Sequence, residues 1–145
     1  MTTDEWKEGI EQLAAGEFWE AHESWEALWR ELPGSAARES MQALIQFAAA
    51  CYKVTQVRQG RAMDDMQQGM AGLIGRGLEH LRRADQLGPP VTTWSHEDLR
   101  SAFGRLQEFL STWRETDDIE MAESSISALS RALADRLESY DQPVA

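Results

Sequence analysis

Residues 36–59, AARESMQALIQFAAACYKVTQVRQ, are apolar around almost the whole circumference of a helix. A helix without a polar face is stable only when other elements enclose it, so this segment belongs inside the fold. That requirement calls for several further helices, each apolar along one side, and the rest of the chain supplies them. Every periodic run has helical spacing, and none alternates in the manner of a half-buried strand.

Glycine and proline cut the chain into its elements. A first helix is expected over about Thr3 to Ala15, with Trp6, Ile10 and Leu13 as its apolar stripe and Thr3 or Asp4 as cap. Gly16 ends it, a second helix runs from Glu17 to Glu31, and Pro33-Gly34 closes that one. After the enclosed third helix, Gly60 is the break. A fourth helix, Arg61 to Leu87, buries Met63, Met66, Met70, Leu73, Ile74, Leu78 and Leu81. Gly69, Gly72, Gly75 and Gly77 lie within it, each costing about 1 kcal/mol relative to alanine. Close backbone approach to a neighbouring helix would justify them. Gly88-Pro89-Pro90 is the clearest break, followed by an irregular piece through Trp94. Ser95 with Asp98 then opens a fifth helix, His96 to Arg114, in the pattern of a capping box. Thr116 or Asp117 caps a sixth, Asp118 to Tyr140. The expected fold class is all-α: a compact bundle of about six helices with antiparallel neighbours. It is expected to form one domain over residues 1–145, with residues 95–141 as a C-terminal pair packed on the first four helices.

Charge and cysteine content narrow the classes of function. A net charge of −11 and scattered basic residues oppose binding to a phosphate backbone, so no nucleic-acid partner is expected. The most apolar stretch, Ala43 to Val54, is about half the length that spans a bilayer, and it contains Gln46 and Lys53. The N-terminus MTTDEWKEGIEQL carries acidic residues where a signal peptide needs a positive end. With a lone Cys51 in an apolar run, the expectation is a cytoplasmic protein with no membrane partner. No cofactor is expected.

Candidate functional residues concentrate in GEFWEAHESWEALWR, residues 16–30. Three of the chain's six tryptophans, Trp19, Trp25 and Trp29, interleave there with His22, Glu23, Glu26 and Arg30. On the following helix Gln42, Gln46, Ala49 and Lys53 form one narrow line on an otherwise apolar cylinder. The short Pro33-Gly34 connection makes these helices antiparallel neighbours, so the line is expected to face the His22, Glu26, Arg30 flank. Two polar stripes brought together can satisfy one another's hydrogen bonds.

Several chemistries fit these residues. His22 and Glu26, one helical turn apart, form half of a metal site. The HExxH pattern fails because Glu26 stands where its second histidine would be, and Glu-x-x-His fails because Trp19 occupies the glutamate position. The other histidines, His80 and His96, have no ligand-like spacing. Alternatively His22 is a general acid or base oriented by Glu23 or Glu26, with Arg30 or Lys53 holding a small anionic ligand in a tryptophan-walled pocket. No serine or cysteine nucleophile is placed by sequence within reach. The third reading is structural: His22, Glu26, Arg30 and Gln46 as a buried network, and the tryptophans as core. Two classes of function follow. One is a binding or scaffold protein, acting as a homodimer or with another protein partner. The alternative is a small enzyme or ligand- or metal-binding protein that uses His22 and Glu26.

The same block, followed by QALIQFAAACYK, resembles the bacterial and archaeal family termed domain of unknown function 309. That family's signature is an F-x-EAHE-x-x-E-x-x-W helix followed by a QGLIQ-x-A helix. Phe18, Glu20, Ala21, His22, Glu23, Glu26, Trp29 and Arg30 match the first part, and Gln42, Leu44, Ile45, Gln46 and Ala48 the second. The resemblance covers about residues 17–81 and implies a small all-helical fold with its site between these two helices. It carries no assigned activity. Ala43 replaces a usual glycine, and Lys53 follows Tyr52 where a histidine is frequent, which weakens a metal reading for this chain.

Overall fold

The computed structural model describes residues 2–33, 35–88 and 94–143, with side chains described from residue 5 onward. Among the described residues there are six α-helices and no strand: α1 (Thr2–Ala14), α2 (Phe18–Glu31), α3 (Ala36–Arg58), α4 (Met63–Leu87), α5 (His96–Thr116) and α6 (Ile119–Leu137). The all-α bundle expected from the periodicity is the fold. The capping role expected of Thr3 or Asp4 falls on side chains outside the description, as do Gly34 and Pro89-Pro90.

α3 is the enclosed helix. Its buried residues, among them Met41, Leu44, Ile45, Phe47, Ala48, Cys51 and Val54, cover more than half of its circumference, and the remaining stripe of Gln42, Gln46, Ala49 and Lys53 is partly buried. Helices α2, α4, α5 and α6 all pack on it, and α6 closes back on α1. Phe47 meets Phe103 of α5 edge-on, with centroids 5.5 Å apart. A second aromatic chain ties the termini together: Trp25 contacts Trp6, Trp6 stacks on Trp94 at 5.3 Å, and Trp94 contacts Tyr140. The Tyr140 hydroxyl donates to the Ser95 carbonyl and to Asp98, so the end of α6 is fastened to the start of α5.

Helix ends follow the turn chemistry with two shifts. Gly16 (φ 80°) and Gly60 (φ 97°) take the left-handed conformation after α1 and α3. The following amides return six-to-one bonds, Glu17 N to Gln12 O and Arg61 N to Gln56 O, as in a Schellman motif. Ser95 accepts from the Asp98 amide as expected, but the Asp98 carboxylate goes to Tyr140 instead of completing the box. The cap of α6 is neither Thr116 nor Asp117. Asp117 is the left-handed residue ending α5 (φ 50°), and Asp118 accepts from the Met121 amide. Thr116 and Asp117 were the two candidates by sequence, and the αL turn at Asp117 moves the cap one residue on. The fourth helix likewise starts at Met63, because Arg61 is consumed by the α3 cap.

The glycines of α4 divide. A Cβ on Gly77 would lie 2.3 Å from the Phe103 ring, so α4 and α5 touch there only because the side chain is missing. Gly69 gives room to the Lys53 methylenes. Gly72 faces only the flexible Arg76 of its own helix, and Gly75 faces open space, so close approach explains neither. A tighter constraint lies in α1, where a Cβ on Gly9 would overlap Trp25 at 1.9 Å.

These differences predict opposite signs for one substitution type in urea unfolding. Gly9→Ala and Gly77→Ala each lower stability by about 1–3 kcal/mol or more through overpacking. Gly75→Ala raises it by about 0.5–1 kcal/mol, since it restricts the unfolded chain and adds helix propensity without a clash.

Candidate functional site

α2 places its functional side chains at helical spacing, and the structure separates its three tryptophans. Trp25 is fully buried, donates weakly to the Trp6 carbonyl at 3.4 Å and packs against Gly9. It was expected at the site and is instead core, because α1 covers that side of α2. Trp29 is partly buried beneath Arg38, whose guanidinium lies 4.0 Å from the ring centroid and also donates to the Leu32 carbonyl. Trp19 remains 44% exposed, one of two large apolar side chains so placed among the described residues, the other being Leu87. It stacks on His22 at 4.8 Å with the rings within 11° of parallel, and tilts against Tyr52 of α3 at 5.4 Å. The tryptophan wall is therefore one outward-facing ledge of Trp19, His22 and Tyr52. The Tyr52 hydroxyl points along α3 and donates to Gln59.

Beside the ledge, the charged flank of α2 runs as one chain. His22 Nε2 lies 3.6 Å from one Glu26 oxygen, longer than a hydrogen bond, while Arg30 donates to the other at 2.5 Å. Arg30 is 66% exposed and Glu26 34%, so the expected buried His-Glu-Arg-Gln cluster is corrected to a surface pair adjoining a half-buried imidazole. The expected mutual satisfaction with α3 also does not form. Among the described residues no hydrogen bond joins His22, Glu26 or Arg30 to Gln42, Gln46 or Lys53. His22 Nδ1 and Gln42 Oε1 are both closed off from solvent without a partner. Gln46 and Lys53 are partly buried; the Lys53 stem lies against Gly69 of α4 instead of reaching α2. Glu23 projects into solvent.

No group of three or more His, Cys, Asp or Glu among the described residues is arranged to hold a metal. Cys51 is completely buried, and burial holds its thiol far above the ordinary range, so it is inert as a nucleophile. The clefts along α5 and α6, of about 350 and 520 Å³, are lined by neither Trp19 nor His22.

A second polar centre escaped sequence reasoning. His96, buried at the start of α5, lies 2.8 Å from Ser40 Oγ through Nε2 and 2.7 Å from Asp85 through Nδ1. A carboxylate only accepts, so Nδ1 carries a proton and donates to Asp85, while Nε2 shares a hydrogen bond with the serine hydroxyl. Arg100 takes the other Asp85 oxygen at 2.8 Å. One turn away His80 donates to Glu39 at 2.7 Å. The order Ser–His–Asp has the form of a nucleophile with its base, but Ser40 is 0% exposed, so its hydroxyl meets no substrate. The centre clasps the start of α3 to α4 and α5. Its partners are 11, 41 and 56 residues apart, and no local pattern marks such pairs. The buried Ser40 on the apolar helix was the available hint.

Residues 6–64 match the model of the family described as Domain of unknown function (DUF309). The matched segment holds both motifs that carry the resemblance; it begins in α1 and stops at the start of α4. No curated protein and no solved structure matches the chain.

Removing His96 strands the Ser40 hydroxyl in the core, so His96→Ala lowers the unfolding free energy by about 2 kcal/mol or more. The hydrogen bond from His96, with Arg100 behind it, holds the Asp85 carboxyl below the usual carboxylate range. A depressed folded value means stabilisation present above the ordinary value and lost as pH falls through the folded one. In unfolding titrations from neutral pH downward, the gap between wild type and Asp85→Asn therefore closes below about pH 4.

Proposed function

We propose that this chain, with residues 6–64 matching the DUF309 family, is a cytoplasmic binding protein that recognises another protein through the Trp19, His22, Tyr52 ledge. The observation that carries this reading is the state of Trp19. It is a large indole held in place by stacking on an imidazole, yet open to solvent. Ordering a rigid aromatic at the surface adds nothing to the core, whereas a pre-organised anchor of this type strengthens an interface at little entropic cost. His22, with its unpartnered Nδ1 beneath the indole, is held in a position that folding alone does not reward. No helix of the described residues is long and apolar enough to cross a membrane. A lone buried thiol suits a reducing compartment.

A small anionic ligand is the second reading, favoured by Lys53, which is partly buried and has no carboxylate partner among the described residues. Arg30 is less suited to that task because Glu26 already takes up its charge. On this reading His22 and Glu26 would orient the ligand beside the indole, and a general acid or base role for His22 would follow only for a ligand that stacks there.

Two measurements together test the first reading. Trp19→Ala and His22→Leu leave the unfolding free energy within about 1 kcal/mol of wild type, whereas Trp25→Ala lowers it by about 3 kcal/mol or more. A random peptide library displayed on phage and selected on wild-type protein, with counter-selection on Trp19→Ala, yields sequences that need the indole. A loss above about 2 kcal/mol in both surface variants would make the ledge structural. Selection of nothing that distinguishes wild type from Trp19→Ala would remove the recognition role.

A further inference from the structure

Charge is unevenly distributed along this chain. Residues 1–32 hold nine acidic residues against two basic ones, so most of the −11 net charge lies on the α1–α2 hairpin. Around the ledge this imbalance is local. Glu20 follows Trp19, Glu23 lies one turn further along the same helix, and both are exposed. Among the described residues neither carboxylate pairs with any Lys, Arg or His. The nearest basic residue on α2, Arg30, is engaged by Glu26.

We infer that the ledge is a docking site for an arginine-bearing basic segment of a partner protein, with one guanidinium stacked on the exposed indole of Trp19 and paired to Glu23 and Glu20. This rests on the binding-protein reading above and names the partner's chemistry. An aromatic face attracts a cation through its quadrupole, and the planar guanidinium covers an indole better than an ammonium does. The flanking carboxylates supply the opposite charge, and the acidic hairpin steers a basic segment in and turns an acidic one away. The same geometry already occurs one face over, where Arg38 lies on Trp29 at 4.0 Å. Trp19 is the counterpart ring on which no Lys or Arg among the described residues lies. An anionic surface, whether nucleic acid or membrane, would be repelled by this hairpin.

The test uses the full chain and a fluorescein-labelled peptide in which arginines alternate with glycine and serine, read by anisotropy. Parallel peptides carry lysine, neutral citrulline or glutamate in place of arginine. The arginine peptide binds saturably and more tightly than the lysine one, and the citrulline and glutamate peptides do not bind. Trp19→Ala weakens binding about tenfold, and Trp19→Phe restores part of the loss. The double variant Glu20→Gln, Glu23→Gln weakens it about threefold to fivefold and flattens its salt dependence. Thermal unfolding of each variant verifies that it is folded. Equal binding to wild type and Trp19→Ala would mean only diffuse attraction to an acidic protein and would overturn the inference, as would citrulline binding as well as arginine. Display selection separates the two levels: Trp19-dependent sequences that are not basic sink this inference and leave the binding reading standing. Absence of any Trp19-dependent sequence sinks both.

Discussion

Enclosure of α3, which has no exposed residue from Ala36 to Val57, is the constraint from which the rest of the structure follows. Its buried residues, from Ile45 round through Met41, Leu44 and Phe47 to Ala43 and Ala50, span more than half of the helix circumference, more than one neighbour can cover. The hydrophobic effect is proportional to area and indifferent to direction, so it specifies that α3 be surrounded but not by which helices. Order along the chain and short turns settle most of that. α2 and α4, the neighbours of α3 along the chain, both pack on it, and α5 and α6 contact it as well.

Directional interactions then choose the arrangement that burial leaves open. The His96 bridge from Ser40 to Asp85 and the His80 contact to Glu39 join the first turns of α3 to the later part of α4 and the start of α5. Each is a satisfied polar group in or near the core, where an unsatisfied one would be strongly unfavourable. Gly9 beneath Trp25 and Gly77 beneath Phe103 act in the opposite sense, by absence of a side chain, and set how closely α1 meets α2 and α4 meets α5. The molecule thus holds its polar bridges at one end of α3, while its surface aromatic ledge lies towards the other, where Trp19 meets Tyr52.

That separation bears on function. At the Ser40 end the serine hydroxyl, both His96 nitrogens and both Asp85 oxygens find partners and the hydroxyl is inaccessible, which is the condition of a structural network. At the Trp19 end the reverse holds: an exposed indole, a shielded Nδ1 without a partner, and two exposed carboxylates without cations. Native proteins tolerate unsatisfied and exposed groups of this type where something other than folding maintains them. The contrast between the two ends is the physical basis for looking to the ledge for function and to the clasp for stability.

How much of this was legible beforehand depends on the range of the interaction. Helical periodicity, glycine and proline punctuation and the enclosed third helix are local patterns, so the six helices and their consecutive packing could be read directly from residues such as Trp6, Ile10 and Leu13 or Leu99, Phe103 and Leu106. The i, i+4 contacts His22–Glu26 and Glu26–Arg30 were legible for the same reason. Which side of α2 the bundle covers was not. Trp19, Trp25 and Trp29 are chemically equal in the sequence, and only the placement of α1 and α3 makes one core, one capped by Arg38 and one exposed. Nor could spacing reveal that His96 reaches Ser40 across 56 residues, or that Gln42 Oε1 and His22 Nδ1 would each be shielded without meeting a partner. The sequence by itself determined what must be helical and what must be buried, because propensity and hydrophobic pattern act within a few turns. The tertiary structure alone decided which polar groups meet and which aromatic is left to solvent, because those outcomes depend on the positions of helices that are remote in the chain.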